Sequence, residues 1–415
     1  MDNLTHSLVG LLVGETAAAL TSAAKHTEPA GLPAADKRTV LLGLMLVGSN
    51  FPDFDLFYTT LAGGKLNYLL HHRGYTHTVI GALIATVLML GAVEWWLRRQ
   101  QLRPSRKDRL QLTGAALLAP LLHIAMDFTN NYGVHPFWPI YDGWMYGDSV
   151  FIIEPLLWAV TAPLALLLRS IWSRYAIWLV LIGGTGLCLF SGMVPIAFAL
   201  VFMTLTALLL GLAKFAAPRT ALLAGVAAWV STTIVFATSS HFAGSRIDAI
   251  AAADFPGYRT LDHVLTPMPV NPVCWDVLLI QRDAGNEVVR RATLSLAPGW
   301  MSARDCPDGP VATETTARMG KVHQPDSTAI RWRGETTSSL VTLRDLVATR
   351  CEASALMQFA RAPVLTRSGT TWTLGDLRYD REPGEGFAEV TLAPGVAKCP
   401  RHIPPWIGPR MDLLE

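Results

Sequence analysis

The sequence predicts two parts of different class. Residues 1–240 read as an all-α polytopic membrane domain of about eight helices, and residues 241–415 as a mostly β or α+β domain outside the membrane. Three observations predict this. The 415 residues are 51% hydrophobic and only 16% charged, with a mean hydropathy of +0.33, which is too apolar and charge-poor for an ordinary soluble chain. Long apolar runs fill the stretch before residue 240, and shorter mixed segments rich in Pro, Gly and acidic residues follow it. The Lys and Arg residues of the first part also segregate to alternate connections, as the loops of a multi-pass protein do.

Runs of about 17–25 apolar residues can cross a bilayer as helices. Those at 4–24, 78–97, 110–128, 150–168, 175–190, 193–213 and 221–238 qualify. An eighth, 39–50, is short unless Phe51 and Pro52 extend it. The first residues have neither a positive n-region nor a small-residue cleavage site, so the first run is expected to be retained rather than removed as a signal peptide. Lys25, Lys37, Arg38, Arg98, Arg99, Arg103, Arg106, Lys107, Arg109, Arg169, Arg174, Lys214 and Arg219 fall on one side of the resulting topology, and only Lys65 and Arg73 on the other. The first side is therefore expected to be the cytoplasm, with the N-terminus and everything after residue 240 outside, in the periplasm or beyond the cell.

The same sorting gathers ionisable residues on the outer side. His6, His71, His72, His77, His123 and His135 lie at outer helix ends or loops, as do Asp2, Asp53, Asp55, Asp127, Asp142, Asp148 and Glu154. Such groups are costly near a bilayer and tend to be functional. The chain centres on His71-His72-Arg73-Gly74-Tyr75-Thr76-His77. His72 and His77 are about 140° apart around a continuous helix, so their convergence needs a turn. Gly74 is expected to supply it, with Thr76 capping a helix that begins near His77.

Four further features join this stretch. His6 opens the first helix. Pro52 ends the second and presents Asp53 and Asp55 in a turn. On the fourth helix His123 and Asp127, spaced i and i+4, share a face, and Asn130 continues it. Each has an ordinary explanation alone, as a hydrogen-bonded pair, a solvated turn or an interfacial residue. Together, at one depth and on one side, they point to a metal site of imidazoles and carboxylates. That donor set suits one or two divalent ions, Zn by default for hydrolysis, without the HExxH pattern of zinc peptidases. In this reading the metal ligands are His6, Asp53, His77, His123 and Asp127, with His72 a further ligand or a close donor to one, Asp53 or Asp55 is a base, and Arg73 holds a phosphate or neutralises a carboxylate.

The blocks Asp2-Asn3-Leu4-Thr5-His6-Ser7, Phe51-Pro52-Asp53-Phe54-Asp55, His72 to His77, and His123 with Asp127, followed by Tyr132-Gly133 and Phe137-Trp138-Pro139, resemble the YdjM-type membrane-bound metal-dependent hydrolases. That family is linked by name to the LexA regulon and is distantly like the zinc-dependent phospholipases C. The resemblance runs from residue 1 to about 160 and implies a hydrolase whose site is His6, Asp53, His72, His77, His123 and Asp127. It fixes no substrate, because motif and fold do not determine function.

The remaining signals are weaker. Asp148 and Glu154 are candidate partners of the histidines, while Trp138, Tyr141, Trp144 and Tyr146 suit an interfacial aromatic belt. Beyond residue 240, segments 274–279, 288–296, 329–333, 371–377 and 387–392 read as strands, and Pro267, Pro269 and Pro272 as a linker-like entry. Cys274, Cys306, Cys351 and Cys399 are expected to form two disulfides in an oxidising compartment, in one of three pairings, with Cys188 free. The expected function is a metal-dependent hydrolase acting on a phosphoester or lipid-related substrate at the outer face of a bacterial inner membrane. The bilayer is its environment and no nucleic-acid partner is expected. The alternative is a non-enzymatic membrane protein with a structural or vestigial metal site and a partner-binding outer domain. A transporter is disfavoured, because transporters bind at the midplane on broken helices.

Overall fold

A computed structural model describes residues 1–22, 31–62, 64–308, 319–380, 386–393, 395 and 399–415. Lys25, His26 and the end of the first apolar run lie outside the described residues. The chain divides into two compact units, one of residues 1–54, 75–138 and 151–235 and one of residues 55–74, 139–150 and 236–415.

The first unit is helical. Its elements are α1 (Asn3–Ser22), α2 (Ala34–Gly48), α5 (Val79–Arg99), α6 (Arg106–Phe128), α7 (Pro155–Ala159), α8 (Leu164–Leu167), α9 (Ile171–Phe190), α10 (Ile196–Phe215) and the first part of α11 (Pro218–Asp254). Among the described residues six helices are long and apolar enough to cross a membrane, and seven if α2 is joined to Pro52–Thr59 across a 54° bend. The chain is a multi-pass membrane protein. The run at 150–168 is not the single span expected: Glu154 caps Leu156 N–H at 3.0 Å, Pro155 starts a short helix, and Pro163 separates α7 from α8. Proline restarts a helix more readily than it continues one.

Two apolar cores hold this unit together. Leu41, Leu44, Met45, Met89, Ala116 and Ala119 join α2, α5 and α6, while Leu12, Val160, Leu181, Leu209 and Leu222 join α1 to the later helices. Close approach depends on Gly48, where a Cβ would come within 2.6 Å of Ala119 Cβ. Pro120 inside α6 has no N–H for the carbonyl of Ala116, and the Thr86 hydroxyl on α5 donates to that carbonyl at 3.2 Å instead. The α6 entrance carries the full capping box of Ser105 and Asp108.

The second unit contains α3 (Asp55–Ala62), α4 (Lys65–His71), the end of α11, and a region of antiparallel sheets. Strands β1 (Arg259–Met268), β2 (Asn271–Arg282), β3 (Asn286–Ser295) and β4 (Ile330–Ser339) form one sheet in that order. After α12 (Leu340–Thr349) and α13 (Cys351–Met357), strands β5 (Pro363–Ser368), β6 (Thr371–Asp376) and β7 (Glu389–Leu392) form another. Ala243, Ile247 and Ala251, one helical stripe of α11, pack with Trp275, Val277, Leu279 and Leu294 of the first sheet. The five strands read from the sequence are present, but the prolines do not form a linker. Pro267 lies in edge strand β1, where a missing N–H is tolerated, and Pro272 in β2. The disulfides are Cys274–Cys306 and Cys351–Cys399, and Cys188 is free and buried.

Arg361 is a polar anchor of this unit. Its guanidinium donates to Asp262 at 2.8 and 3.1 Å, to Asp148 at 2.8 Å and to the His263 carbonyl at 3.1 Å, and lies 4.0 Å from the Tyr146 ring centre. Burial pushes the Asp262 carboxyl upward, but the Arg361 charge and hydrogen bonds, with Arg410 and His263, hold it below the ordinary range.

Candidate metal centre

The site is assembled from helix ends. Asp2 caps α1, accepting from Thr5 N–H at 2.9 Å and Thr5 Oγ1–H at 2.6 Å, which sets His6 in the first turn. Ser49 ends α2, and Pro52–Phe54 then forms a short 3-10 turn that carries Asp53. A second such turn, Tyr75–His77, carries His77. The helix after it is capped by Thr78, whose hydroxyl accepts from Gly81 N–H at 2.9 Å, and not by Thr76 as expected. His123 and Asp127 project from one face of α6, as their spacing requires.

Asp53, His77, His123 and Asp127 are all buried, and one donor atom of each lies within 4.8 Å of the others. His77 Nε2 is 3.1 Å from His123 Nε2 and 3.3 Å from both Asp53 Oδ1 and Asp127 Oδ2. His123 Nε2 is 3.5 Å from Asp53 Oδ1 and 3.4 Å from Asp127 Oδ2. Ligands held about 2.0–2.2 Å from a zinc ion at tetrahedral angles stand roughly 3.3–3.6 Å apart. Four of these five separations fall in that range, and the His77–His123 distance of 3.1 Å is slightly shorter. Hydrogen bonding alone fits them poorly, since a neutral imidazole has at most one Nε2 proton and His77 Nε2 has three close neighbours.

The tautomer of His123 supports the same fit. Its Nδ1 lies 2.7 Å from the Ser49 carbonyl, an acceptor freed by the end of α2. Nδ1–H therefore donates, and the Nε2 lone pair faces the other three donors. His6 stands beside the quartet. Its ring stacks on His123 at 3.7 Å, and its Nε2 is 3.2 Å from Asp127 Oδ1, the carboxylate oxygen that does not face His77. The Met1 amino nitrogen also meets Asp127 Oδ1. The chain thus contains a buried His/Asp cluster able to hold a metal ion.

Residues 1–197 match the model of the YdjM inner membrane protein family. The family resemblance of the sequence blocks therefore holds over that stretch, and the quartet lies inside it. No curated protein and no solved structure matches the chain.

The other expected site residues are not among these four. His72 belongs to the second unit, where its Nδ1 is 3.0 Å from Asp55 Oδ1, and the backbone N–H of Arg73 donates to Asp55 Oδ2 at 2.9 Å. Arg73, rather than Gly74, adopts the left-handed backbone, with φ of 60°. Gly74 is needed for close approach instead: a Cβ there would lie 2.8 Å from the His71 carbonyl oxygen. Asn130 accepts from Tyr132 N–H at 2.9 Å and shapes the turn after α6. Asp148 pairs with Arg361, and Glu154 caps α7. Trp144 is buried and Tyr146 half-buried rather than in a membrane belt, with Trp144 Nε1–H donating to the Gln358 carbonyl at 2.8 Å. Sequence reasoning missed Ser49, whose contribution is a main-chain carbonyl that no side-chain pattern reveals.

Proposed function

We propose that the protein is a membrane-embedded metal-dependent hydrolase acting on a phosphoester, lipid-borne or soluble, at the outer face of the inner membrane. The observation that carries this is the buried quartet of Asp53, His77, His123 and Asp127 with its near-tetrahedral spacing. A divalent ion bound there, Zn by the donor chemistry, supplies Lewis acidity and an acidified water. The chain's own residues do the rest. The Ser49 carbonyl orients His123, and His6 steadies Asp127. Asp55, which comes two residues after Asp53 in the chain, holds the His72 ring and makes that pair a carrier of protons. Arg73, locked beside it by Asp55, supplies the positive charge suited to a phosphoryl oxygen.

A second reading has an observation of its own. Four protein donors already complete a tetrahedron, as closed structural sites do, whereas catalytic sites keep a position open. Metal analysis followed by hydrolysis assays separates the two. The purified protein is expected to retain about one equivalent of divalent metal and to cleave phospholipids or soluble phosphoesters, with loss on chelation and recovery on metal addition. Metal-replete protein inert on both classes would leave the structural reading.

The outer placement rests on the division of Lys and Arg between alternate connections, and it requires the divided segment of α7 and α8 to cross the bilayer as one. Reporter fusions within residues 98–109 should behave as cytoplasmic, and fusions at residue 300 as periplasmic or external. A reporter that works only in the cytoplasm, active at residue 300, would reverse the assignment.

A further inference from the structure

The short helix α3 has two faces of opposite character. Phe57, Tyr58 and Leu61 are 71%, 53% and 88% exposed, and Phe54, one turn earlier, is 49% exposed. These positions follow the i, i+3, i+4, i+7 spacing of a single helical stripe. On the opposite face Asp55 and Thr59 are buried. A helix that displays its large apolar side chains and hides its carboxylate is inverted relative to one facing water.

The chain itself limits what this stripe can meet. α2 ends at Gly48 and α3 begins at Asp55. A gap of about seven residues reaches at most about 25 Å even when fully extended, and the 3-10 turn at Pro52–Phe54 shortens it. The chain then enters the next candidate span at Val79. Another connection on the same side of the topology, between α6 and α7, has the same character, with Ile140 94% and Tyr141 50% exposed.

We propose that α3 is an interfacial helix whose Phe54–Phe57–Tyr58–Leu61 stripe lies at the headgroup–acyl boundary of the leaflet where α2 ends. The occupant of this face is the lipid surface, into which an amphipathic helix sinks its apolar side by roughly 5–10 Å. Asp55, on the other side of the same helix, is thereby held together with His72 at headgroup depth. The inference does not depend on hydrolysis.

Spin-label accessibility tests it on the full chain in phosphatidylcholine–phosphatidylglycerol vesicles. The background is Cys188→Ala, since Cys274, Cys306, Cys351 and Cys399 are paired in disulfides. Nitroxides are placed at Leu61→Cys and, separately, Phe57→Cys, with Ala284→Cys in the exposed β2–β3 turn as the water-facing control. Labels at 57 and 61 should collide more with membrane-dissolved oxygen than with a water-soluble nickel chelate, and the label at 284 should show the reverse. Nickel-dominated relaxation at 57 and 61 would place the stripe in water and overturn the proposal. Shielding from both reagents, with dipolar broadening between labels, would assign the face to a second copy of the chain and overturn it too.

Discussion

Asp127→Ala is expected to strip the metal from the purified protein while the chain still inserts in the membrane. Asp127 has two tasks. Its Oδ2 faces both His77 and His123, and its Oδ1 meets His6 and the Met1 amino nitrogen. Removing even a group that only supports a ligand costs about 10–100-fold in metal affinity, so losing a direct donor should cost at least that. His6→Ala, which removes only the support of Asp127, is expected to fall within that range and to leave partial occupancy. Elemental analysis after dialysis against a weak chelator would rank wild type above His6→Ala and His6→Ala above Asp127→Ala. Insertion should survive because the helices rest on apolar cores far larger than this site. Full metal occupancy in Asp127→Ala would remove that residue from the ligand set. Loss of folded protein together with metal would favour the structural role.

That experiment follows from a part of the molecule that the sequence made legible. An i,i+4 His/Asp pair can only share a helical face, and Pro52 cannot continue a helix, so three of the four clustered side chains were placed by local rules. His77 was found because it opens a span, although its neighbour Thr78 provides the cap. The rest depended on partners remote in sequence. Asp148 looked like a histidine's partner because the sorting of Lys and Arg puts both on one side, yet it pairs with Arg361, far along the chain. Trp144 and Tyr146 carry the composition of a membrane belt and are instead covered within the second unit. The run 150–168 has the length and hydropathy of a span, and the buried Glu154 cap and Pro163 divide it. Strand β1 was hidden by Pro267, which reads as a breaker unless the strand is known to lie at an edge.

Arg361→Met is expected to destabilise the second unit by about 3–5 kcal/mol at neutral pH, because it leaves two carboxylates with a buried partner missing. Arg361 is itself only 5% exposed, and it bridges Asp148 and Asp262 while lying over Tyr146. Methionine fills much of the space and returns none of the charge. In a unit of this size the loss corresponds to a fall of roughly 6–20 °C in Tm, read by near-ultraviolet circular dichroism of the full chain in detergent. The pH dependence has a definite sign. In the wild type the Asp262 pKa is depressed, so its contribution is present above the unfolded value and is lost as pH falls through the folded one. In the variant burial acts on Asp262 with only Arg410, at 3.6 Å, and the weaker influence of His263 to oppose it. Its folded pKa then rises, and stability is lost as pH climbs past the unfolded value of about 3.9. The gap between variant and wild type should therefore be widest near neutrality and close as pH drops below about 4. A deficit below about 1 kcal/mol, the worth of an exposed ion pair, or one that stays constant between neutral and acid pH, would show that the Arg361 bridge is not what anchors this unit.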